Sequence, residues 1–158
     1  MLNLRIVQRS FDDLGTPLAD VTFCVLDIET TGSDRGGDLI TEIGVVKVRH
    51  GQCLGTMATL VNPGKAIAPS VTVLTGITQS MVAKAPRIET VLPTLQEFVG
   101  DSVIVGHNVG FDMGFINAAL LRSDRPAFRN TVVDTLPLAR RLVRDEVPDC
   151  KLATLADR

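Results

Sequence analysis

Two short segments of the chain hold side chains able to do chemistry together. The first is Asp27-Ile28-Glu29-Thr30-Thr31-Gly32, at the end of the apolar run Val21 to Asp27. Side chains alternate along a strand, so Asp27 and Glu29 share one face, about 7 Å apart at the backbone for two steps of ~3.3 Å. Two acids leaving a hydrophobic strand suffer desolvation and mutual repulsion unless a cation compensates. Hard divalent cations take such oxygen ligands, and the spacing suits a pair of ions roughly 3.5–4 Å apart. The amides and hydroxyls of Thr30, Thr31 and Gly32 can meet an anionic substrate. The second segment is His107-Asn108-Val109-Gly110-Phe111-Asp112, which leaves another apolar run and opens a helix with Asp112 in its first turn. Taken singly, each has a plain explanation. An acid at a helix start satisfies free amides and the macrodipole, an Asp-x-Glu pair is common, His107 is a hydrogen-bonding loop residue, and Phe111 packs in a core. Their joint occurrence at the ends of two inner strands is what points to a site.

The elements that must position these acids follow from the patterning. Val21 to Asp27 is nearly continuous in apolar residues, which predicts a central strand buried on both faces. Leu39 to Val48 and Gln52 to Val61 are β-rich runs joined by His50-Gly51, a hairpin signal, so the first third is a three-stranded antiparallel meander. Ile88, Val91, Leu92, Leu95, Phe98 and Val99 recur with helical spacing. Pro93 requires that this helix begin near Thr90 or be kinked. Ser102 to Gly106 is a short buried strand, and Phe111 to Leu120 a helix ending by Pro126. Thr131 to Leu136 is a strand, Pro137 opens a helix through Arg144, and a last helix begins near Lys151. The order βββ, α, β, α, β, α predicts an α/β fold with a mixed five-stranded sheet flanked by helices. Parallel pairing of the first and fourth strands would bring Asp27, Glu29 and Asp112 to one sheet end.

Composition bounds the reading. The 158 residues, 45% hydrophobic and 22% charged, suit one globular domain, with residues 1–20 as a lead segment and 21–158 as the domain proper. No apolar run reaches the ~18 residues of a membrane span and no signal core follows Met1, so the expected setting is soluble and cytoplasmic, without a membrane partner. Cys24, Cys53 and Cys150 lack metal-ligand spacing and are expected to be reduced and structural. A net charge of −2 gives no global attraction to nucleic acid, so such binding needs bound cations or a local basic patch. Basic residues are denser late in the chain, at Arg122, Arg125, Arg129, Arg140, Arg141 and Arg144.

Five segments in order, VLDIETTG (Val25 to Gly32), TEIG (Thr41 to Gly44), LTGIT (Leu74 to Thr78), HNVGFD (His107 to Asp112) and VVDTLPLAR (Val132 to Arg140), resemble the DnaQ-like DEDDh exonucleases. The resemblance implies a ribonuclease H-like fold and 3′-to-5′ hydrolysis of nucleic acid with two Mg²⁺ or Mn²⁺ ions, in replication proofreading or repair. It implies that Asp27 serves both ions, Glu29 the first, and Asp112 the second, directly or through water. It further implies that Thr30, Thr31 and Gly32 meet the terminal nucleotide, that Ile77, Asn108 and Phe111 shape its pocket, and that Glu42, Asp134 and Thr135 support the fold. The implied substrate is a nucleic-acid 3′ end, single-stranded or frayed DNA ahead of RNA, and the implied partners are a DNA polymerase or a fused nuclease module. The lead from Arg9 to Phe23 resembles proteins that join this domain to a UvrC-like endonuclease. The family's third motif, a His followed five residues later by an Asp, does not follow Lys151, and His107 is not assigned as the general base. The expectation is therefore a fragment of a longer exonuclease, weak or inactive by itself. Two other classes are a nuclease-like module that binds nucleic acid or a polymerase without cutting, and a haloacid-dehalogenase-type phosphatase using Asp27, Thr31 and Asp101. Glu29 in place of a second Asp, and Asp101 ahead of its strand, count against the phosphatase.

Overall fold

A computed structural model describes residues 15–157. Most of the lead, residues 1–14, therefore lies outside the described residues, and its described remainder is exposed around a short turn of helix at Leu18–Asp20. Five strands follow the predicted order: β1 (Phe23–Thr30), β2 (Ile40–Arg49), β3 (Gln52–Leu60), β4 (Val103–Gly106) and β5 (Val132–Asp134). They form one sheet in the order β3-β2-β1-β4-β5, with β1 in the middle. β1, β2 and β3 make the antiparallel meander, while β4 and β5 add in parallel. The β2–β3 turn holds both His50 and Gly51 at positive φ, 52° and 70°, the geometry a tight hairpin needs.

Helices α1 (Pro69–Thr75), α2 (Gln79–Val82), α3 (Ile88–Val99), α4 (Gly110–Arg122), α5 (Thr135–Leu142) and α6 (Leu152–Ala156) complete the chain. The main core lies where α3 and α4 meet one face of the sheet. It joins Cys24, Leu26 and Ile28 of β1 to Ile43 and Val45 of β2, Leu92 and Leu95 of α3, and Phe115, Ile116 and Leu120 of α4. A satellite core of Ile67, Ile77 and Val82 anchors α1 and α2.

Three expectations need correction. β1 is buried on one face only: Cys24, Leu26 and Ile28 are at most 6% exposed, while Val25 is 45% exposed and Asp27 is also exposed. The central strand reads as uniformly apolar, yet among the described residues helices cover only its even-numbered side. Helix α3 begins at Ile88 rather than Thr90, which puts Pro93 in its second turn. Proline costs the helix one hydrogen bond to Glu89, and both residues lie on the solvent side, where water can take that carbonyl. The packing of Val91, Leu92, Leu95 and Val99 outweighs the loss. Helix α5 opens at Thr135, with Asp134 as its cap, so Pro137 falls at the third helical position. Of the three cysteines, all free, only Cys24 is buried.

Candidate active site

β1 and β4 run parallel, pairing Phe23 with Val103 and Val25 with Val105, so both point their C-terminal ends the same way. Alternation puts Asp27 and Glu29 on the face opposite Leu26 and Ile28. Beyond β4 the chain turns through Asn108, held at φ 64°, a left-handed conformation that asparagine tolerates better than most residues. The Asn108 amide donates to Asp134 Oδ1 at 2.9 Å, and the same oxygen accepts from Leu136 N–H at 3.0 Å. Asp134 thereby fixes the entry to α4 and caps α5. Helix α4 then carries Asp112 in its first turn and buries it to 5% exposure. Its Oδ1 accepts from the Ile28 amide at 3.0 Å, tying α4 to the strand residue between the other two acids.

The three carboxylates sense one another. Burial pushes Asp112 up to about 6, against the bonds from its own amide and that of Ile28, with Asp27 and Asp134 adding repulsion. Glu29 is raised by burial first, then by Asp27, Glu42 and Asp112. Partial burial raises Asp27. Among the described residues, however, no three His, Cys, Asp or Glu side chains form a ready-made metal cage. The acids share an electrostatic field, and one oxygen of Asp112 is already committed to the backbone.

Beside them opens a pocket of about 370 Å³, walled by Glu29, Thr30 and Gly32 of the motif and by Val71, Leu74 and Phe111. Phe111 is braced by Phe115, with ring centroids 4.9 Å apart. Ile77 is absent from this wall: it is 3% exposed, inside the satellite core. Asn108 does not line the pocket either. Thr30 and Thr31 are buried and their hydroxyls are engaged, Thr30 donating to the Gly32 carbonyl and Thr31 to Asp38 Oδ1 at 2.8 Å. Both hydroxyls thus shape the turn. Asp38 also accepts from the Asp34 amide and from Lys65, and with Thr31 these bonds hold its carboxyl below the usual range.

His107 is likewise engaged: Nδ1 meets Thr135 Oγ1 at 3.0 Å and Nε2 donates to the Cys150 carbonyl at 2.8 Å. Asp101 begins the far end of β4 and shares a cavity with Val21 and Lys47, away from Asp27, which removes the phosphatase arrangement. Sequence reasoning missed Val71 and Leu74. It also missed Arg35, whose Nη2 donates to the Gly110 carbonyl at 2.7 Å and clamps the turn after β1 onto α4. A charged residue between Asp34 and Gly36 carries no signal of that reach.

Comparison with known proteins places the chain in a family. Residues 24–158 match the RNase T family, described as exonuclease. The chain belongs to that exonuclease family, in its DnaQ-like branch. It is 51% identical to a bifunctional exonuclease/endonuclease protein of Mycobacterium tuberculosis, aligned over 94% of this chain and 26% of that protein. It is 44% identical to the PolC-type DNA polymerase III of Clostridium perfringens, over 88% of this chain and 10% of the polymerase. The chain thus spans about a quarter of the first relative and a tenth of the second. Among solved structures, E. coli exonuclease I in complex with a 5cy-dA13 oligonucleotide shares the fold with a TM-score of 0.78 and 19% identity, over 87% of this chain and 36% of that one.

Proposed function

We propose that this domain removes nucleotides from the 3′ end of a single-stranded or frayed nucleic acid, DNA ahead of RNA, in replication proofreading or repair. One observation carries the reading: three mutually repelling carboxylates, Asp27, Glu29 and Asp112, lie at one end of the sheet beside an apolar pocket that Glu29 itself helps to wall. Carboxylates raised by burial and by one another form the donor set a hard divalent cation relieves. Two Mg²⁺ or Mn²⁺ ions would be held there, with Asp27 serving both, Glu29 one and Asp112 the other. Bound there, such ions acidify an attacking water and offset charge on the leaving oxygen.

The protein's own contribution is placement. Val71, Leu74 and Phe111 give the last base apolar surfaces to pack on, and the rigid Thr30–Gly32 turn lets backbone approach the sugar. The Ile28 amide, bonded to Asp112, keeps that carboxyl registered against β1. The relatives named above suggest the setting, a polymerase or a fused nuclease module acting on the same DNA.

A melting experiment tests the site. Millimolar Mn²⁺ raises Tm if the carboxylates bind it in the folded state, by an amount that grows with concentration. The rise shrinks at pH 5, where Asp112 is protonated, and is reduced in Asp112→Asn. A Tm that ignores Mn²⁺ at pH 7.5 contradicts the proposal.

A further inference from the structure

A second cavity lies at the same end of the sheet, on the β4–β5 side. It is larger, about 870 Å³, and its wall includes His107, Leu136, Arg140, Arg144, Asp149 and Lys151. Its position follows from the topology. His107 leaves β4, and Leu136 belongs to α5 just after β5, whereas the apolar pocket is built on β1, α1 and α4. In the strand order β1-β4-β5 the apolar pocket stands at β1 and the second cavity at β4 and β5, and Asp112, on the helix that leaves β4, is bonded to the Ile28 amide of β1. The far wall is fixed in place: the His107 ring holds the Cys150 carbonyl, and Asp149 Oδ1 accepts from the Lys151 amide at 3.0 Å and from Thr154 Oγ1 at 2.7 Å.

The charges in this wall are unbalanced. Arg140 is in the last turn of α5 and Arg144 follows four residues on, and neither has an ion-pair partner among the described residues. The one carboxylate, Asp149, is occupied by Thr154, the Lys151 amide and, at 3.4 Å, Lys151 Nζ. Two arginines without an ion-pair partner among the described residues therefore line the space, and its one acid is committed to Lys151 and Thr154. The apolar pocket has no cation in its wall.

Cleaving a terminal phosphodiester requires the last nucleoside on one side of the catalytic acids and the remaining strand on the other. A pocket of Val71, Leu74 and Phe111 suits a base, and a cationic cavity suits a phosphate backbone. We infer that Arg140 and Arg144 bind backbone phosphates of the strand leading to the 3′ end. This rests on the nuclease reading and adds the residues that hold the rest of its substrate.

Equilibrium binding of the oligonucleotide (dT)12 across a salt series, without divalent cation and so without turnover, tests it. Arg140→Ala/Arg144→Ala, with its melting curve checked, is expected to bind at least tenfold more weakly. Its slope of log affinity against log salt falls by about 1.4, roughly 0.7 for each lost single-strand phosphate contact. Arg140→Lys/Arg144→Lys keeps the charge and retains most of the slope. Unchanged affinity and slope in the alanine variant overturn the inference, as does a lysine variant that loses the slope equally. Neither result touches the nuclease reading, which fails instead if Mn²⁺ leaves the Tm of the wild-type protein unchanged at pH 7.5.

Discussion

Asp112 is where the site costs the fold most. Its carboxyl titrates near 6 in the folded protein against 3.8 ordinarily. A raised folded-state pKa means the native protein binds that proton more tightly than the unfolded chain. The stabilisation is complete below about pH 4 and is lost as pH rises through 6. The difference corresponds to roughly 3 kcal/mol against folding at neutral pH. Asp112→Asn keeps an oxygen for the Ile28 amide and removes the charge, so without metal it should melt higher than the wild type at pH 8 and level with it near pH 4. A variant less stable at pH 8 would show that the ionised carboxylate is compensated in the folded state. At this scale the shared face of Asp27 and Glu29 was legible, because alternation along a strand is a strict geometric rule. The engagement of the Thr31 hydroxyl by Asp38 and of the His107 ring by Cys150 was not, since each depends on a partner 7 and 43 residues away.

The elements place the acids by close approach of backbone. Gly106 ends β4 where a Cβ would stand 2.8 Å from Val109 Cγ2 and 3.0 Å from the Leu26 carbonyl oxygen. The second neighbour is backbone of β1 and cannot swing away. Gly106→Ala should cost about 1–3 kcal/mol, read as a fall in Tm. It should also weaken the Mn²⁺ response, because the distortion falls between β1 and the entry to α4. A variant that melts and binds Mn²⁺ like the wild type would show that this junction has slack. The long periodic helices α3 and α4 were readable from their apolar spacing. Helices α1 and α2 were not: at 7 and 4 residues they show no period, and Val73 and Leu74 are 87% and 85% exposed. They start and stop on local chemistry instead, with Pro69 opening α1, Gly76 closing it at φ 75° and Thr78 capping α2. Three residues of the apolar pocket wall, Val71, Leu74 and Thr75, come from α1, and Ile77 lies behind them in the cluster that Val71 packs against.

At the scale of the molecule, the strand order is what turns two distant motifs into one place. With β1 central and β4 parallel beside it, residues 85 apart in sequence, Asp27 and Asp112, come within electrostatic reach. The mixed five-stranded sheet was recoverable from the order of its elements and the family from five segments, since a meander followed by alternating helices and strands leaves few topologies. The covering of the sheet was not recoverable, because an apolar strand does not record which neighbours reach it. The measurement that bears most directly on the whole account is release of label from a 3′-labelled single-stranded DNA with Mn²⁺, by this chain alone and by the same chain extended with a fused segment that carries the family's His and the Asp five residues after it. Labelled mononucleotide should appear first, ahead of any internal cut, more strongly in the extended form, and should vanish with Asp27→Asn. Intact label with both forms, or release that survives Asp27→Asn, would contradict a 3′-to-5′ exonuclease built on these acids.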